Sequence, residues 1–283
     1  MMQSSYFTPE EKMAGFLKDA AMNNQEGIFL SGITDRSVQR LLPPPLELAD
    51  PENPIFYLYI VNIREPTFAP WYMEGGIGVI ARYKEKTGVY FFNLQLSGPG
   101  ALMGAFTGRE GSGLPKKLCE RIVVERCDEY GHCYIERNGV RLVDVALKMG
   151  AYNQPDFHQE QEKAQTQAGG LLLEGGCLLH KYRLNSETGI DDLEMIYYDS
   201  PTRYYSWEPA SATVKFTSSI DDPWGEIPVV SVVSAGWSVC DNFVRDMSTL
   251  YRYPQEEGEK IMQYLFAGRY DRSLLCKSHQ RYP

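Results

Sequence analysis

Lys116 and Lys117 stand side by side, directly after Pro115 and the glycine-rich stretch Gly108-Arg109-Glu110-Gly111-Ser112-Gly113-Leu114. A lysine amine is a useful nucleophile near neutral pH only when its pKa falls well below the ordinary value of about 10.4. Apolar surroundings disfavour the ammonium form, and a second cation nearby repels it. Apolar, β-rich sequence flanks this segment, Pro115 stiffens it and the glycines allow a tight turn, so the two lysines are placed to supply both effects. A lysine activated in this way forms a Schiff base with a ketone. Two solvated surface charges are the commoner meaning of a Lys-Lys pair, and the dipeptide alone does not separate the readings.

The surroundings do. Gly108-Arg109-Glu110, a short spacer, then Pro115-Lys116-Lys117-Leu118 resembles the active-site signature of the acetoacetate decarboxylase family, with the spacing intact. The resemblance implies that Lys116 is the Schiff-base lysine and Lys117 its cationic neighbour. Trp71-Tyr72-Met73-Glu74-Gly75-Gly76 resembles the family's strand entry, which makes Glu74 the active-site glutamate, and Leu41 to Glu47 resembles a short helix followed by a Pro-Leu-Glu turn. The likeness is good over roughly residues 24 to 150 and looser beyond.

Two family positions differ. An arginine in an Asn-Arg-Glu stretch is here Asn24-Gln25-Glu26, so the cation is replaced by Gln25. A second glutamate, counted back from Glu74 without gaps, falls on Tyr59. Gln25 and Tyr59 are therefore the expected substrate-binding positions, with Arg109 and Glu110 in the same class, more as a pair holding the turn than as substrate contacts. Trp71, Tyr72 and Trp237 either shape a cavity or belong to the core.

An iminium on Lys116 is an electron sink, so a bond one carbon away can break and leave an enamine. Release of carbon dioxide makes the protein a decarboxylase of a β-keto acid, the favoured expectation, through a lyase mechanism with Glu74 moving a proton or holding the iminium. Retro-aldol or aldol-dehydration chemistry on pyruvate or a related keto acid is the alternative, and Gln25 and Tyr59 favour it. A barrel that binds a small carbonyl compound without catalysis is the third reading, disfavoured by the retained lysine pair.

The elements that would position these residues read as mainly β (α+β). Ile55 to Ile63, Gly76 to Tyr83 and Val89 to Leu96 are strand-like, and Asn138-Gly139 marks a hairpin turn. Thr8-Pro9-Glu10-Glu11 starts a helix, Asp35 caps a brief one, and Pro43-Pro44-Pro45 stops it. Helices are expected over Cys240 to Tyr251 and Pro254 to Phe266. The resemblance implies a closed antiparallel β-barrel of about ten strands with peripheral helices, assembled as a homo-oligomer. A single domain over residues 1–283 is expected, with a polar insertion at 153–170 and a loose tail at 268–283.

Composition narrows the partners. The 283-residue chain carries a net charge of −9 without a basic block, which argues against nucleic acid. The six cysteines form no CxxC pair, and Cys177 with His180 lacks a second half for a metal site, so neither metal nor other cofactor is expected. Met1 to Tyr6 has no leader-like pattern and no apolar run spans a bilayer, so the expectation is a cytoplasmic enzyme of a small keto acid or ketone.

Overall fold

Strand alternation organises the molecule. In Ile55–Pro66 (β3), Phe56, Leu58 and Ile60 enter one buried cluster while Val61 and Ile63 enter another, with Tyr57 and Tyr59 packed on the second side. A strand points successive side chains to opposite faces, so a run apolar on both must be covered on both. The structure, a computed structural model, describes residues 5–18, 21–154 and 168–276. Most of the 153–170 insertion and the end of the tail lie outside these residues.

Fifteen strands form one sheet. Besides β3 they are Met22–Ile33 (β1), Glu47–Leu48 (β2), Tyr72–Tyr83 (β4), Lys86–Ser97 (β5), Lys116–Leu118 (β6), Arg121–Cys127 (β7) and Tyr130–Arg137 (β8). Val140–Met149 (β9), Leu171–Leu173 (β10), Gly176–Asn185 (β11), Gly189–Asp199 (β12), Thr202–Phe216 (β13), Ser231–Asn242 (β14) and Asp246–Arg252 (β15) complete it. The helices are Glu10–Lys18 (α1), Ala101–Ser112 (α2) and Gly258–Arg269 (α3). The main path runs β15-β12-β11-β5-β4-β3-β1-β14-β13-β9-β8-β7.

The expected closed barrel is not formed: no ladder joins β15 to β7. The sheet curls until β7 packs across β3, β4 and β5, burying Ile122, but stays open. Its two edges are charged, with Arg121, Glu125 and Arg126 on β7 and Asp246 and Arg252 on β15, which discourages further strand pairing. Nor is the sheet wholly antiparallel, since β5 pairs with both β6 and β11 in parallel.

Three more expectations change. Cys240 to Tyr251 is strand on either side of a turn at 243–245, not helix. The glycine-rich stretch before the lysines is the end of helix α2, not a turn. The tail up to Cys276 is not loose: Arg269 is buried and bonds the carbonyls of Gly113 and His180, and Ser273 bonds Asp221.

His180 makes the core sensitive to acid. Tyr253 donates its hydroxyl proton to Pro44 O at 2.8 Å, so His180 Nε2 donates to Tyr253 at 2.9 Å. Burial first, then the Arg269 charge, pushes His180 down to about 3. Between the unfolded value near 6.5 and that folded value, the unfolded chain holds a proton that the native one refuses. Stability is therefore lost as pH falls through this window, by up to about 1.4 kcal/mol per unit. Urea midpoints taken from pH 7 down to 5 should fall less steeply in His180→Gln. Parallel slopes in the two proteins would refute the assignment.

Candidate active site

Lys116 reaches its place from two directions. Helix α2 ends in a left-handed glycine cap: Gly113 takes φ of 77°, its N–H bonds Arg109 O as in the αL motif, and Leu114 N bonds Gly108 O. Pro115 then turns the chain into β6, where Pro115 O accepts from Leu94 N at 2.8 Å and Lys116 registers beside Leu94 of β5. Helix and strand thus fold back on each other, with Gly108 against the Lys116 side chain. A Cβ at Gly108 would lie 2.6 Å from Lys116 Cε and 2.9 Å from Nζ.

The Lys116 amine donates to Glu74 Oε2 at 2.7 Å, with both side chains 3% exposed. Glu74 Oε1 accepts from Tyr59 OH at 2.5 Å. Burial, then the Glu74 charge, holds the Tyr59 hydroxyl well above its usual pKa, so it remains a donor. Lys116, Glu74, Tyr59 and Gln25 line one cavity of about 600 Å³. Gln25 sits at a bulge in β1, where Asn24 has φ of 51°, and its Nε2 bonds Met22 O at 3.3 Å. Among the described residues lining the cavity, Lys116 carries the only cationic side chain. Phe29, Tyr57, Phe91 and Leu94 give it apolar walls.

Lys117 is not brought to this cavity. Adjacent strand residues face opposite ways, and its amine bonds Asp221 O at 2.7 Å, Asp222 at 3.0 Å and Asp271 at 3.2 Å. Arg137 joins the same two carboxylates at 2.6 and 2.9 Å, and Gln95 Nε2 donates to Asp222 at 2.9 Å. Burial pushes the Asp271 carboxyl up, but hydrogen bonds from Arg137 and Lys117 outweigh it and hold it below its usual value. Two cations and two carboxylates balance, so the expected bare cation beside Lys116 is absent. Asp221, Asp222 and Asp271 were not legible as its partners: they lie more than 100 positions along the chain in ordinary polar contexts.

Arg109 and Glu110 also lie off the cavity. Arg109 donates to Arg269 O at 2.8 Å and stacks on Tyr270, while Glu110 is 71% exposed and 3.5 Å from Arg109. Arg109 thus fastens α2 to the C-terminal segment. Trp71 is half exposed, and Tyr72 is buried with its ring 6.0 Å from the Lys116 amine. Trp237 is buried and bonds Glu26 at 3.3 Å.

This geometry can be set beside known proteins. Residues 4–254 match the sequence model described as "Acetoacetate decarboxylase (ADC)". The chain belongs to the acetoacetate decarboxylase family. A relative named "CLA biosynthesis isomerase", from Lactiplantibacillus plantarum, is 32% identical over 277 residues, 96% of each chain. The solved structure titled "Structural Studies of Acetoacetate Decarboxylase" superposes with a TM-score of 0.68 at 17% identity, covering 82% of this chain and 89% of that one. The enduracididine biosynthesis enzyme MppR, complexed with the condensation product of pyruvate and imidazole 4-carboxaldehyde, superposes at 0.60 with 12% identity, covering 82% and 89%. These structures share the acetoacetate decarboxylase fold with this chain. The family thus contains relatives named for different reactions, and family membership alone does not select among them. No helix among the described residues is long and apolar enough to cross a membrane.

Proposed function

We propose that this chain is an isomerase that moves a carbon–carbon double bond toward a ketone, with Lys116 as Schiff-base lysine and Glu74 as proton carrier. The observation behind this reading is the Lys116–Glu74–Tyr59 chain in a cavity with no second cation among the described residues that line it. Glu74 takes a proton from the Lys116 amine, which adds to the ketone. The proton returns to the departing hydroxyl, water leaves and an iminium remains. Glu74 then removes a proton from the carbon between the iminium and the double bond, giving a dienamine. The same carboxyl returns a proton two carbons further out, and water releases the conjugated ketone. Atoms balance, and Lys116 and Glu74 end as they began. Tyr59 steadies Glu74 and keeps its second oxygen occupied.

A β-keto acid fits less well. Its carboxylate would enter an apolar chamber already holding the Glu74 carboxylate, with Gln25 where relatives supply an arginine. A buried charge without a counter-ion is costly. The isomerase name of the full-length relative supports the same choice. The test is incubation in heavy water with β,γ-unsaturated methyl ketones of short and long chain, and separately with β-keto acids. The expected result is growth of conjugated-enone absorbance, with deuterium at the terminal carbon of the shifted system. Carbon dioxide from a keto acid without any double-bond shift would make the protein a decarboxylase instead.

A further inference from the structure

The cavity does not end at the reacting pair. Besides Lys116 and Glu74, its lining includes Met22 and Phe29 of β1, Val244 and Met247, and Phe16 and Leu17 of helix α1. Phe16 and Leu17 of α1 line it, yet they are 60% and 67% exposed. Val244 and Met247 line the same cavity and are likewise 37% and 45% exposed. Apolar side chains that line a cavity and still face water are half of a contact. They gain burial when an apolar group lies between them.

Size points the same way. About 600 Å³ lies within the range of sites for ligands of drug size, and a four-carbon keto acid would leave most of it unfilled. The ionisable pair Lys116 and Glu74, with Tyr59, forms the reacting group, and the remaining polar lining is hydroxyls and amides such as Ser112, Ser200, Thr202 and Asn242, without a further cation among the described residues. The one carboxylate near the mouth, Glu174, is paired with Arg245. Among the described residues α1 makes no hydrogen bond to the sheet, and the chain after it is tied at Ala21 O, which accepts from Thr67 N at 3.2 Å.

We infer that α1 is the outer wall of the substrate site, and that the substrate is a ketone with an unbranched apolar chain long enough to lie between Phe16–Leu17 and Val244–Met247. The inference rests on the proposed function only in placing the carbonyl at Lys116. It makes Phe16 and Leu17 specificity-determining residues for chain length.

The experiment is calorimetric titration of the full chain with a homologous series of saturated 2-alkanones, which bind without being isomerised. Each added methylene should tighten binding by about fourfold until the chain passes the mouth. The double substitution Phe16→Ser and Leu17→Ser changes two exposed side chains and so spares the fold. Its loss of affinity should grow with ketone length, reaching about tenfold for the longest. A flat series, or an equal loss at every length, would overturn the inference. Borohydride reduction of the same samples separates the two claims. A length-dependent affinity without an adduct on Lys116 would remove the Schiff base and leave the outer wall standing. An adduct without length dependence would do the reverse.

Discussion

Lys116→Arg protein is expected to be folded, to give no borohydride-stable adduct, and to be at least about a thousandfold less active. Arginine is the informative replacement. It keeps a cation beside Glu74, whose carboxylate would otherwise be stranded 3% exposed at a cost of about 3–5 kcal/mol. Its guanidinium is always protonated and adds to no ketone. Lys116→Ala should be as inactive but also less stable, so its loss alone mixes chemistry with unfolding. Glu74→Gln tests the second half of the pair. It should still form the adduct, slowly, while exchange of deuterium into the ketone falls by about 10²- to 10⁴-fold, the usual contribution of one acid–base group. An active Lys116→Arg enzyme would end the iminium proposal, leaving Glu74 to act alone on an unattached ketone.

Gly108→Ala should lower turnover by about a hundredfold without unfolding the protein. The new methyl would meet Lys116 Cε at 2.6 Å and Nζ at 2.9 Å. These atoms end a flexible side chain, so the amine moves rather than the backbone, and the 2.7 Å contact with Glu74 is lost. A displacement near one ångström at a reacting atom costs about that much. Gly111, one turn later on α2, is the control, because a Cβ there meets nothing within 4 Å. Gly111→Ala should keep its activity and gain up to about 1 kcal/mol of stability from helix propensity. Equal activity in the two alanine proteins would show that Gly108 is not needed for clearance around the lysine.

How much of this was legible depends on distance along the chain. β3 announced itself, because Ile-Phe-Tyr-Leu-Tyr-Ile-Val-Asn-Ile is aromatic and branched throughout and needs only its own periodicity to be read. Lys116 and Glu74 were found through short local patterns, and they meet in space. Helix α2 was hidden, since Gly104, Gly108 and Gly111 argue against a helix; Gly104 and Gly108 are small because Tyr72, Leu96 and Lys116 press on them. β15 was misread because Phe243, Val244, Met247 and Leu250 imitate helical spacing, while pairing with β12 decides the outcome. The open sheet and the fate of Lys117 were out of reach for one reason. Each depends on which distant residues become neighbours, and nothing local specifies that.

The grip on the lysine strand also sets an order of events during synthesis. Lys117 is held by Asp222, 105 positions later, and the Gly113 carbonyl just ahead of it by Arg269, 156 positions later. A ribosome adds residues at about 5–20 per second from the N-terminal end. The Lys116 amine therefore exists for many seconds before the partners that anchor its strand have emerged. Nascent chains halted before Asp222 would carry Lys116 without a finished chamber. The cavity around Lys116 is thus a late product of folding, completed only after Arg269 has emerged.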